Sequence, residues 1–449
     1  MVSANDLTSL LRDEIIPMHM KEAERVRKAD ELLRGHPDAI RKVQSHDKEK
    51  ATLRELSHTS LLDLVVEYSA QQLVVEGVSA GGIDLPEMWA PFERSGLVSK
   101  QGAFFASTLR YGSTFGLALP GTDAVGGNAA YMRIFSPRNF GALYGDLVDD
   151  EFPMWAYRRI EQGRNTHWRV YDEQAEYFLS EEDGRLRLLE VREHGMGVCP
   201  VVRFTCNEDL EGHVIGEPHK YKRDAERHDK TVYDRLSIQH YNSWRIRYAI
   251  HMSSEWSEED REKFKLKLAH DDIMVGDGDT EFGTLDETDL TPMTAAQEAD
   301  RDLLAAVSQT PVWAFNGGSM ANLSADALVE AKSGNRQKVW SIQRGLNRPL
   351  CAFLRLAAQA EGRMSDASRF DLDIAWSDVG SQTLSAAADA LGKLATSLGV
   401  PVAKLWEMIP GISHQTVEDW RAYAESHPSD DDAAAIAYAR QVMPDGANE

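Results

Sequence analysis

Residues 309–328 read QTPVWAFNGGSMANLSADAL, and this stretch separates two predicted helices of the 449-residue chain. One helix is predicted over Thr294–Ser308. A polar, glycine-rich loop follows over Pro311–Asn322, where the glycines allow the backbone unusual freedom. The next helix is predicted from about Ser324 to Leu346, ending near Pro349. The chain therefore makes a helix–loop–helix here, and its other parts are arranged around it.

A long amphipathic helix is predicted on the N-terminal side, over about Pro218–His251. Apolar and aromatic residues recur on it at steps of three and four, which indicates one continuous stripe. The stripe consists of Tyr233, Leu236, His240, Trp244 and Tyr248. Such a helix is roughly 50 Å long at 1.5 Å per residue, so we expect neighbouring elements to support it.

Residues 251–293 form an acidic insertion between these helices, with thirteen acidic and four basic residues. Ile273–Val275 and Glu281–Leu285 are predicted to form a small hairpin around Asp277-Gly278-Asp279. That turn resembles the start of a calcium loop. However, Phe282 stands where the loop needs glycine and Thr288 where it needs glutamate, so we predict a plain turn.

The N-terminal half is predicted to be helical first and β-rich afterwards. Leu7, Leu10, Leu11 and Ile15 lie on one helical stripe, and that helix should stop before Pro17. A more apolar, buried helix is predicted over Leu61–Val75 and should end by Gly77. Short strands are predicted between about Phe104 and Phe204. They are Phe104–Phe105, Tyr131–Phe135, Trp168–Tyr171, Tyr177–Leu179, Leu186–Val191 and Cys199–Phe204, with a hairpin turn at Glu181–Gly184.

The C-terminal part returns to helix after one strand, Phe370–Trp376. Helices are predicted over Ser381–Leu398, Pro401–Met408 and Thr416–Ser426. The tail from Pro428 begins with an acidic run and is expected to be loosely held.

Composition excludes several classes of protein. The chain is 42% hydrophobic and 27% charged, as in globular proteins. It has neither a secretion signal nor the ~18 consecutive apolar residues of a membrane span, so we expect it to be made and assembled in the cytoplasm. Its net charge of −23 is unlike that of a conventional DNA-binding protein, which neutralises phosphates with lysine and arginine. An acidic conduit through which DNA slides fits that charge, as does an ordinary acidic protein.

No motif provides a catalytic, metal or cofactor site. Cys199 and Cys206, with His213 and His219, invite a zinc interpretation, but six residues lie between the cysteines, whereas structural sites have two to four between paired ligands. The glycine-rich run Gly121–Asn128 lacks the Gly-Lys-Ser/Thr ending of a phosphate-binding loop, so we predict a loop between strands. We therefore predict no catalytic residue, no metal and no cofactor.

Four stretches resemble the portal proteins of tailed double-stranded DNA bacteriophages, especially those of actinobacterial phages. They occur in the family's order across roughly residues 61–425. They are Leu61–Gly77; Pro200–Phe204 with Lys230–Leu236; Gln309–Pro311 with Asn322–Leu328; and Trp376 to Ser413. The third is the most specific, since in the family it ends the second stem helix, forms the tunnel loop and begins the tunnel helix.

The resemblance implies an α+β portal architecture whose parts follow in chain order. They are N-terminal helices and a β-rich wing (1–215), a first stem helix (216–250), a clip (251–293), a second stem helix (294–310), a tunnel loop (311–322), a tunnel helix with a returning wing strand (323–380), a short helical crown (381–427) and an acidic flexible tail (428–449).

The resemblance also implies a function, a location and a set of partners. The subunit would form a closed ring, of twelve copies, at the unique capsid vertex of the virion. The ring would be the head-to-tail junction and the channel for DNA packaging and ejection. Its partners would be the large terminase, the major capsid protein and scaffold, a head-completion or tail adaptor protein, and double-stranded DNA in passage. Two rivals stay open: another minor head protein, and a cytoplasmic enzyme without a recognisable motif.

Two groups of residues are candidates for the channel wall. The tunnel loop contributes Trp313, Phe315, Asn316, Gly317, Gly318, Ser319, Met320 and Asn322. Of these, Trp313 and Phe315 are favoured as anchors of the loop over DNA contacts. A basic stripe consists of Lys220, Arg223, Arg227 and Lys230, for which a solvated helix face or ion pairs between subunits are the alternatives to the channel.

Overall fold

The structure is a computed structural model that describes residues 3–34, 48–123, 125–163, 165–242, 247–250, 281–284, 289–316, 325–377, 384–409, 412 and 414–427. The chain divides into two compact units, Met1–Trp376 and Ser377–Glu449. Helices and sheets are both present in the first unit, so the predicted α+β class is confirmed. None of the described helices is long and apolar enough to cross a membrane.

The described helices of the first unit fall into two groups along the chain, one up to residue 111 and one from residue 217. The first group is α1 (Ala4–Leu10), a π-helical segment (Leu11–Ile15), α2 (Ile16–Arg34), α3 (Lys48–Ser57), α4 (Leu61–Ala70), α5 (Pro86–Arg94), a 3₁₀ turn (Val98–Lys100) and α6 (Gln101–Tyr111). The second group is α7 (Glu217–Lys220), α8 (Lys222–Asn242), α9 (Thr291–Ser308), α10 (Val312–Asn316), α11 (Ala325–Ala360) and α12 (Met364–Ala367).

The strands of the first unit form antiparallel sheets. They are β1 (Val75–Ala80), β2 (Ile83–Asp84), β3 (Ser113–Thr122), β4 (Asn128–Phe135), β5 (Phe140–Leu143), β6 (Trp155–Gln162), β7 (Asn165–Tyr171), β8 (Ala175–Glu182), β9 (Arg185–Glu193), β10 (Val201–Thr205), β11 (Arg247–Ile250), β12 (Glu281–Thr284) and β13 (Leu372–Trp376). The sheets have the orders β5-β6-β7-β8-β9, β10-β3-β4, β13-β1-β2 and β11-β12. The predicted strands from Tyr131 onward and at Phe370–Trp376 are confirmed, and so is the turn between β8 and β9, where Asp183 and Gly184 both have positive φ.

Two apolar clusters hold the β-rich part together. The predicted stripe Leu7, Leu11 and Ile15 is fully buried against one face of the five-stranded sheet, beside Tyr157 and Trp168. The other face packs on the sheet that contains β3 and β10, through residues such as Phe140 and Tyr171. The five-stranded sheet is therefore covered on both sides.

The first helix does not stop before Pro17, contrary to our prediction. The chain stays helical from Ala4 to Arg34, with a π-helical segment at Leu11–Ile15 just before the proline. Proline cannot donate the hydrogen bond that an α-helix requires, and a π-turn is one way in which a helix absorbs such a defect. Burial of Leu11 and Ile15 on the sheet supports the helix across this point.

Two other local predictions were wrong in the N-terminal part. Phe104–Phe105 belongs to helix α6, which ends at Gly112 in the left-handed conformation (φ 82°). The helix predicted over Leu61–Val75 ends at Ala70, and Val75–Ala80 pairs as a strand with Leu372–Trp376. In both cases tertiary partners outweighed local propensity.

Pro349 does not end the helix in which it lies. Helix α11 runs without interruption over 36 residues, Ala325–Ala360, with Pro349 inside it. An interior proline costs about 3 kcal/mol. Leu350, Phe353, Leu354 and Leu356 are each at most 2% exposed, and burying one such side chain yields about 1.5–3 kcal/mol. The apolar face of the helix outweighs the cost of the proline.

The long helix predicted over Pro218–His251 is shorter than expected. It is divided into α7 and α8 and ends at Asn242, so α8 spans roughly 32 Å for 21 residues. Arg247–Ile250 is a strand that pairs antiparallel with Glu281–Thr284. The predicted partner Ile273–Val275 and the turn Asp277–Asp279 lie outside the described residues, as do Trp244 and the tail from Pro428.

The second unit is helical where it is described. It contains α13 (Leu384–Leu398), α14 (Val402–Leu405), a 3₁₀ turn (Trp406–Met408) and α15 (His414–Ser426), close to the three predicted helices. The Trp406 and Trp420 rings meet edge to face at 6.1 Å.

Gly116→Ala tests how tightly α11 packs on strand β3. A Cβ atom at this position would lie 2.8 Å from the rings of both Phe204 and Phe353, so neither side could give way freely. We expect a loss of about 1–3 kcal/mol in the free energy of unfolding, measured by thermal or denaturant unfolding. Gly77→Ala, in strand β1, is the matched control because nothing lies within 4 Å of its Cβ position. Equal losses in the two variants would contradict this packing.

Candidate functional site

The helices α7, α9 and α11 meet at the buried ammonium group of Lys338. Its Nζ lies 2.8 Å from Oε2 of Glu217 and donates a hydrogen bond of 3.1 Å to the carbonyl oxygen of Ser308. Both side chains of the ion pair are under 10% exposed. A charge buried this deeply requires a close partner, and here it has a carboxylate and a helix-terminal carbonyl.

Ser308 is the last residue of α9, and the following sequence Gln309-Thr310-Pro311 explains why the helix ends there. Gln309 adopts the left-handed conformation (φ 54°), and the amide of Thr310 donates to the carbonyl of Ala305 at 3.0 Å. This closes the helix as a C-terminal cap does, and Pro311 prevents further helical hydrogen bonding. The carbonyl of Ser308 is left for Lys338.

Glu217 is positioned by a tight passage of the backbone. It follows Gly216, where a Cβ atom would lie 2.3 Å from the carbonyl oxygen of Arg110, so only glycine fits. Asn207 donates a hydrogen bond of 3.0 Å to the Glu217 carboxylate from the loop after β10. Glu217 is therefore held between the β-rich part of the chain and the start of α8.

One turn before Lys338, the same face of α11 is fastened to α4. The amide of Gln72 donates a hydrogen bond of 2.8 Å to Asn335 and another of 2.8 Å to the carbonyl of Tyr68. Asn335 is 3% exposed, so this is an interior contact. Helix α11 is thus held at two successive turns.

The predicted tunnel loop begins as a helix. Val312–Asn316 forms α10, which contacts α9 and α4. The side chains of Trp313 and Phe315 are half-buried. Gly317, Gly318, Ser319, Met320 and Asn322 lie outside the described residues.

The basic stripe lies beside acidic residues of the same chain. Arg227 bonds Asp300 of α9 at 2.7 Å, and Lys230 pairs with Asp234. Nζ of Lys220 lies 3.8 Å from Glu217 and donates to Asn207. Arg223 is exposed and makes no ion pair within the described ranges. Most of the positive charge of the stripe is therefore balanced within the subunit.

The sequence did not predict a hydrogen bond between His58, the residue after α3, and Asp229 of α8. The two residues are 171 positions apart, and Nδ1 of His58 lies 2.9 Å from the Asp229 carboxylate. This hydrogen bond raises the pKa of the His58 imidazole above its ordinary value, with burial acting in the opposite direction. Nothing in the local sequence around either residue indicates the pairing.

Cys199 and Cys206 are buried, and Cys351 is half-buried. Burial raises the pKa of Cys206 to about 12 and that of Cys351 to about 11, so neither is a reactive thiolate. The group of ligand-type side chains that comes together in the described part of the chain is Asp209, Glu211 and His213, all exposed. The cysteines of the rejected zinc interpretation are not in it.

Comparison with known proteins gives the family. A sequence model described as "Phage portal protein, SPP1 Gp6-like" matches residues 12–427. The chain therefore belongs to the SPP1 Gp6-like family of phage portal proteins. It is a portal protein, the subunit of the oligomeric ring at the head-to-tail junction of the particle, where viral DNA enters and leaves the capsid. The family is one of structural proteins.

Other comparisons are weaker. No curated protein sequence matches the chain. Among solved structures, a chain of the "Virion of native gene transfer agent (GTA) particle" is 11% identical with a TM-score of 0.45, covering 84% of this chain and 89% of that one. A chain of the "Neck of native GTA particle computed with C12 symmetry" is 13% identical with a TM-score of 0.43, covering 76% and 84%. At these scores the likenesses add nothing to the family assignment.

Lys338→Met tests the buried junction. The variant removes the buried cation from Oε2 of Glu217 and leaves only the more exposed Lys220 at 3.8 Å from Oε1, so we expect a loss of about 3–5 kcal/mol in the free energy of unfolding. Adding Glu217→Gln should restore part of that loss, because the uncompensated charge is then removed. Lys230→Met is the control, since its pair with Asp234 is exposed and worth about 0–1 kcal/mol. If thermal unfolding shows Lys338→Met and Lys230→Met to be alike, the junction does not stabilise the fold.

The His58–Asp229 contact predicts a pH dependence of stability. Because the pKa of His58 is raised in the folded state, its contribution is complete below the unfolded value of 6.5 and is lost as pH rises through the folded pKa. The difference in melting temperature between wild type and His58→Asn should therefore shrink as pH rises above 6.5. His213→Asn, which changes an exposed imidazole, is the control. A difference that stays constant across this range would rule out the linkage.

Proposed function

We propose that this portal subunit assembles into a closed ring of twelve copies and that duplex DNA passes along its axis. The large terminase docks on the ring during packaging and supplies ATP hydrolysis, and a head-completion or tail adaptor protein takes its place afterwards. The major capsid protein and scaffold surround the ring. The subunit itself is passive, and it needs neither a catalytic residue nor a cofactor.

The observation that carries this proposal is the antiparallel pair of helices α8 and α9. Arg227 of α8 and Asp300 of α9 are bonded at 2.7 Å, and Thr231 donates to the other oxygen of Asp300 at 2.7 Å. At one end the pair is closed by Lys338, and at the other the chain continues into strands β11 and β12, which pair with each other. Two fastened helices with a small β-structure at their tip correspond to a stem and a clip.

On this correspondence we propose the following boundaries for the parts. Lys222–Asn242 is the first stem helix, Thr291–Ser308 is the second, and the clip begins at Arg247. The two sheets formed by strands β3 to β10 are the core of the wing, and β13 is its returning strand. The tunnel loop follows α10, α11 is the tunnel helix, and α13 to α15 are the crown.

The charge of the subunit favours passage of DNA over its capture. The chain carries a net charge of −23, and three of the four residues of the basic stripe lie beside acids of the same subunit. Phosphate contacts give DNA-binding proteins most of their nonspecific affinity, so a wall with few unpaired cations holds the duplex weakly. The residues from Trp313 to Asn322 are proposed as the narrow part of this wall.

The second stem helix also presents apolar side chains that support contact between subunits. Leu303 and Val307, one turn apart on α9, are 42% and 43% exposed, and Val312 of α10 is 38% exposed. Ring subunits contact one another head to tail, so such a face would meet a different face of the next copy. Burying it would remove apolar surface from water.

The double variant Leu303→Glu/Val307→Glu tests the ring. We expect it to fold as the wild type does but to stay monomeric, because two carboxylates would be buried between subunits. Native mass and negative-stain images of the purified protein are the measurements, and wild type should give rings with an axial hole wide enough for B-form DNA. Leu189→Glu is the control, since Leu189 is 55% exposed on β9, away from the stem.

The wild-type result decides the ring itself. A wild-type chain that stays monomeric even when co-expressed with scaffold and capsid protein would refute the ring. Rings formed equally well by the double variant would instead place the subunit contact elsewhere.

A further inference from the structure

A cleft of about 350 Å³ lies between the five-stranded sheet and the β3–β4 hairpin, away from the stem. The hairpin contributes an apolar wall that includes Leu117, Leu119 and Pro120. The opposite wall is formed by β6 to β9, and it contributes Arg158, Arg169 and Arg192. Three guanidinium groups facing an apolar wall are unexpected in a chain whose net charge is −23.

Two of these arginines stand directly opposite each other. Arg158 of β6 and Arg169 of β7 are cross-strand partners in the sheet. Like charges in this position destabilise a sheet, so the arrangement has an energetic cost that the fold alone does not explain. Each guanidinium lies over an aromatic ring, Arg158 at 4.6 Å from the centre of Phe135 and Arg169 at 5.0 Å from that of Phe178. These cation–π contacts help to hold the two cations in place.

The acids of the cleft leave one guanidinium unpaired. Arg169 lies 3.4 Å from Glu176, which is 5% exposed, and Arg192 pairs with Glu190 at 3.0 Å. Arg158 has no ion pair or hydrogen bond to an acid anywhere in the described ranges. Of the lining residues that remain, Glu193 is exposed at the rim, and burial lowers the pKa of His194, which is then neutral at pH 7. The three arginines are matched in number by Glu176, Glu190 and Glu193, so the cleft is distinguished by the unpaired Arg158 and not by an excess of positive charge.

We propose that this cleft binds an acidic peptide segment of a partner protein, with one carboxylate on Arg158 and an adjoining apolar side chain against Leu119 and Pro120. A planar guanidinium binds a carboxylate through two parallel hydrogen bonds, which matches the single unpaired cation. The hydroxyl of Tyr171, whose pKa is raised by burial and next by Glu176, stays protonated at the base of the cleft. The lining contains no residue of α8, α9 or α10, so the proposal does not rest on the proposed ring.

The shape of the cleft favours a protein segment over other anions. Its volume is at the lower end for small-molecule sites, and its rim is open, with Tyr131 45% exposed and Arg192 also exposed. A free metabolite would be poorly enclosed there. A nucleic-acid backbone presents one phosphate after another, whereas this site offers one unpaired cation and an apolar wall. One acidic and one apolar side chain of a docked protein satisfy both walls.

The experiment measures binding of a fluorescein-labelled hexapeptide of alternating glutamate and leucine to the full chain, by fluorescence anisotropy at low salt. The same peptide with glutamine in place of glutamate is the ligand control. Arg158→Gln should weaken binding of the acidic peptide by at least about tenfold. Arg187→Gln, which removes an exposed arginine from β9 outside the cleft, should leave binding unchanged.

Folding of the variants is checked by their melting temperatures. Arg158→Gln removes a like-charge pair, so its melting temperature should not fall. Arg158→Lys retains the charge without the planar fork and should also weaken binding, which gives a second test if the glutamine variant is unstable. The proposal is overturned if wild type does not bind the acidic peptide, if the glutamine peptide binds as well, or if neither Arg158 variant changes binding. Displacement of the peptide by a DNA oligonucleotide that then binds more tightly would also overturn it, in favour of a phosphate site.

Discussion

A buried lysine must be paired, and the arrangement of the helices follows from how Lys338 is paired. Its ammonium group meets a carboxylate at the start of α7 and a carbonyl at the end of α9. The start of α7 and the end of α9 are thereby fixed on one turn of α11. Losing either partner leaves a charge or a carbonyl in the interior, and both outcomes are costly. The junction of these three helices is thus set by the solvation of a single ammonium group.

Helix α11 passes this constraint to the rest of the first unit. Its 36 residues contact strands β3, β4, β10 and β13, and the ring of Phe353 meets that of Phe204 edge to face at 5.5 Å. Gly116 makes room for both rings, since a Cβ atom there would overlap them. The helix is therefore anchored in the sheets at one end and at the Lys338 junction at the other.

The basic stripe on α7 and α8 and the arginines of the cleft differ in how well the sequence reveals them. The stripe was conspicuous in the sequence, yet its residues largely pair with acids of the same subunit. The arginines of the cleft are scattered between positions 158 and 192 and become neighbours only through strand pairing. A charge pattern along one helix can be read from its spacing. Whether those charges remain available depends on what the fold places beside them.

The sequence by itself determined the family, the α+β class and most elements, because these depend on local signals. The period-two strands from Tyr131 to Val191, the Asp183-Gly184 turn and the helix end at Gln309-Thr310-Pro311 are set by neighbouring residues. Lys338 lies on the same stripe of the helix as Asn335, Val339, Ile342 and Leu346, all of which are buried. A lysine at such a position was a visible sign of an interior charge. Its partner was not visible, since Glu217 lies far away in the chain and looks like any other glutamate.

The tertiary structure alone decided the features in which distant partners outweighed local preference. Helices α2 and α11 continue past Pro17 and Pro349, respectively. Burial of apolar side chains of these helical segments offsets the missing hydrogen bonds. Arg247–Ile250 leaves the predicted helix because Glu281–Thr284 offers it a strand partner. His58 and Asp229 are 171 positions apart in the chain, and only the fold brings them together. Local sequence sets what each segment prefers, but only the fold brings together the partners that decide between preferences of similar energy.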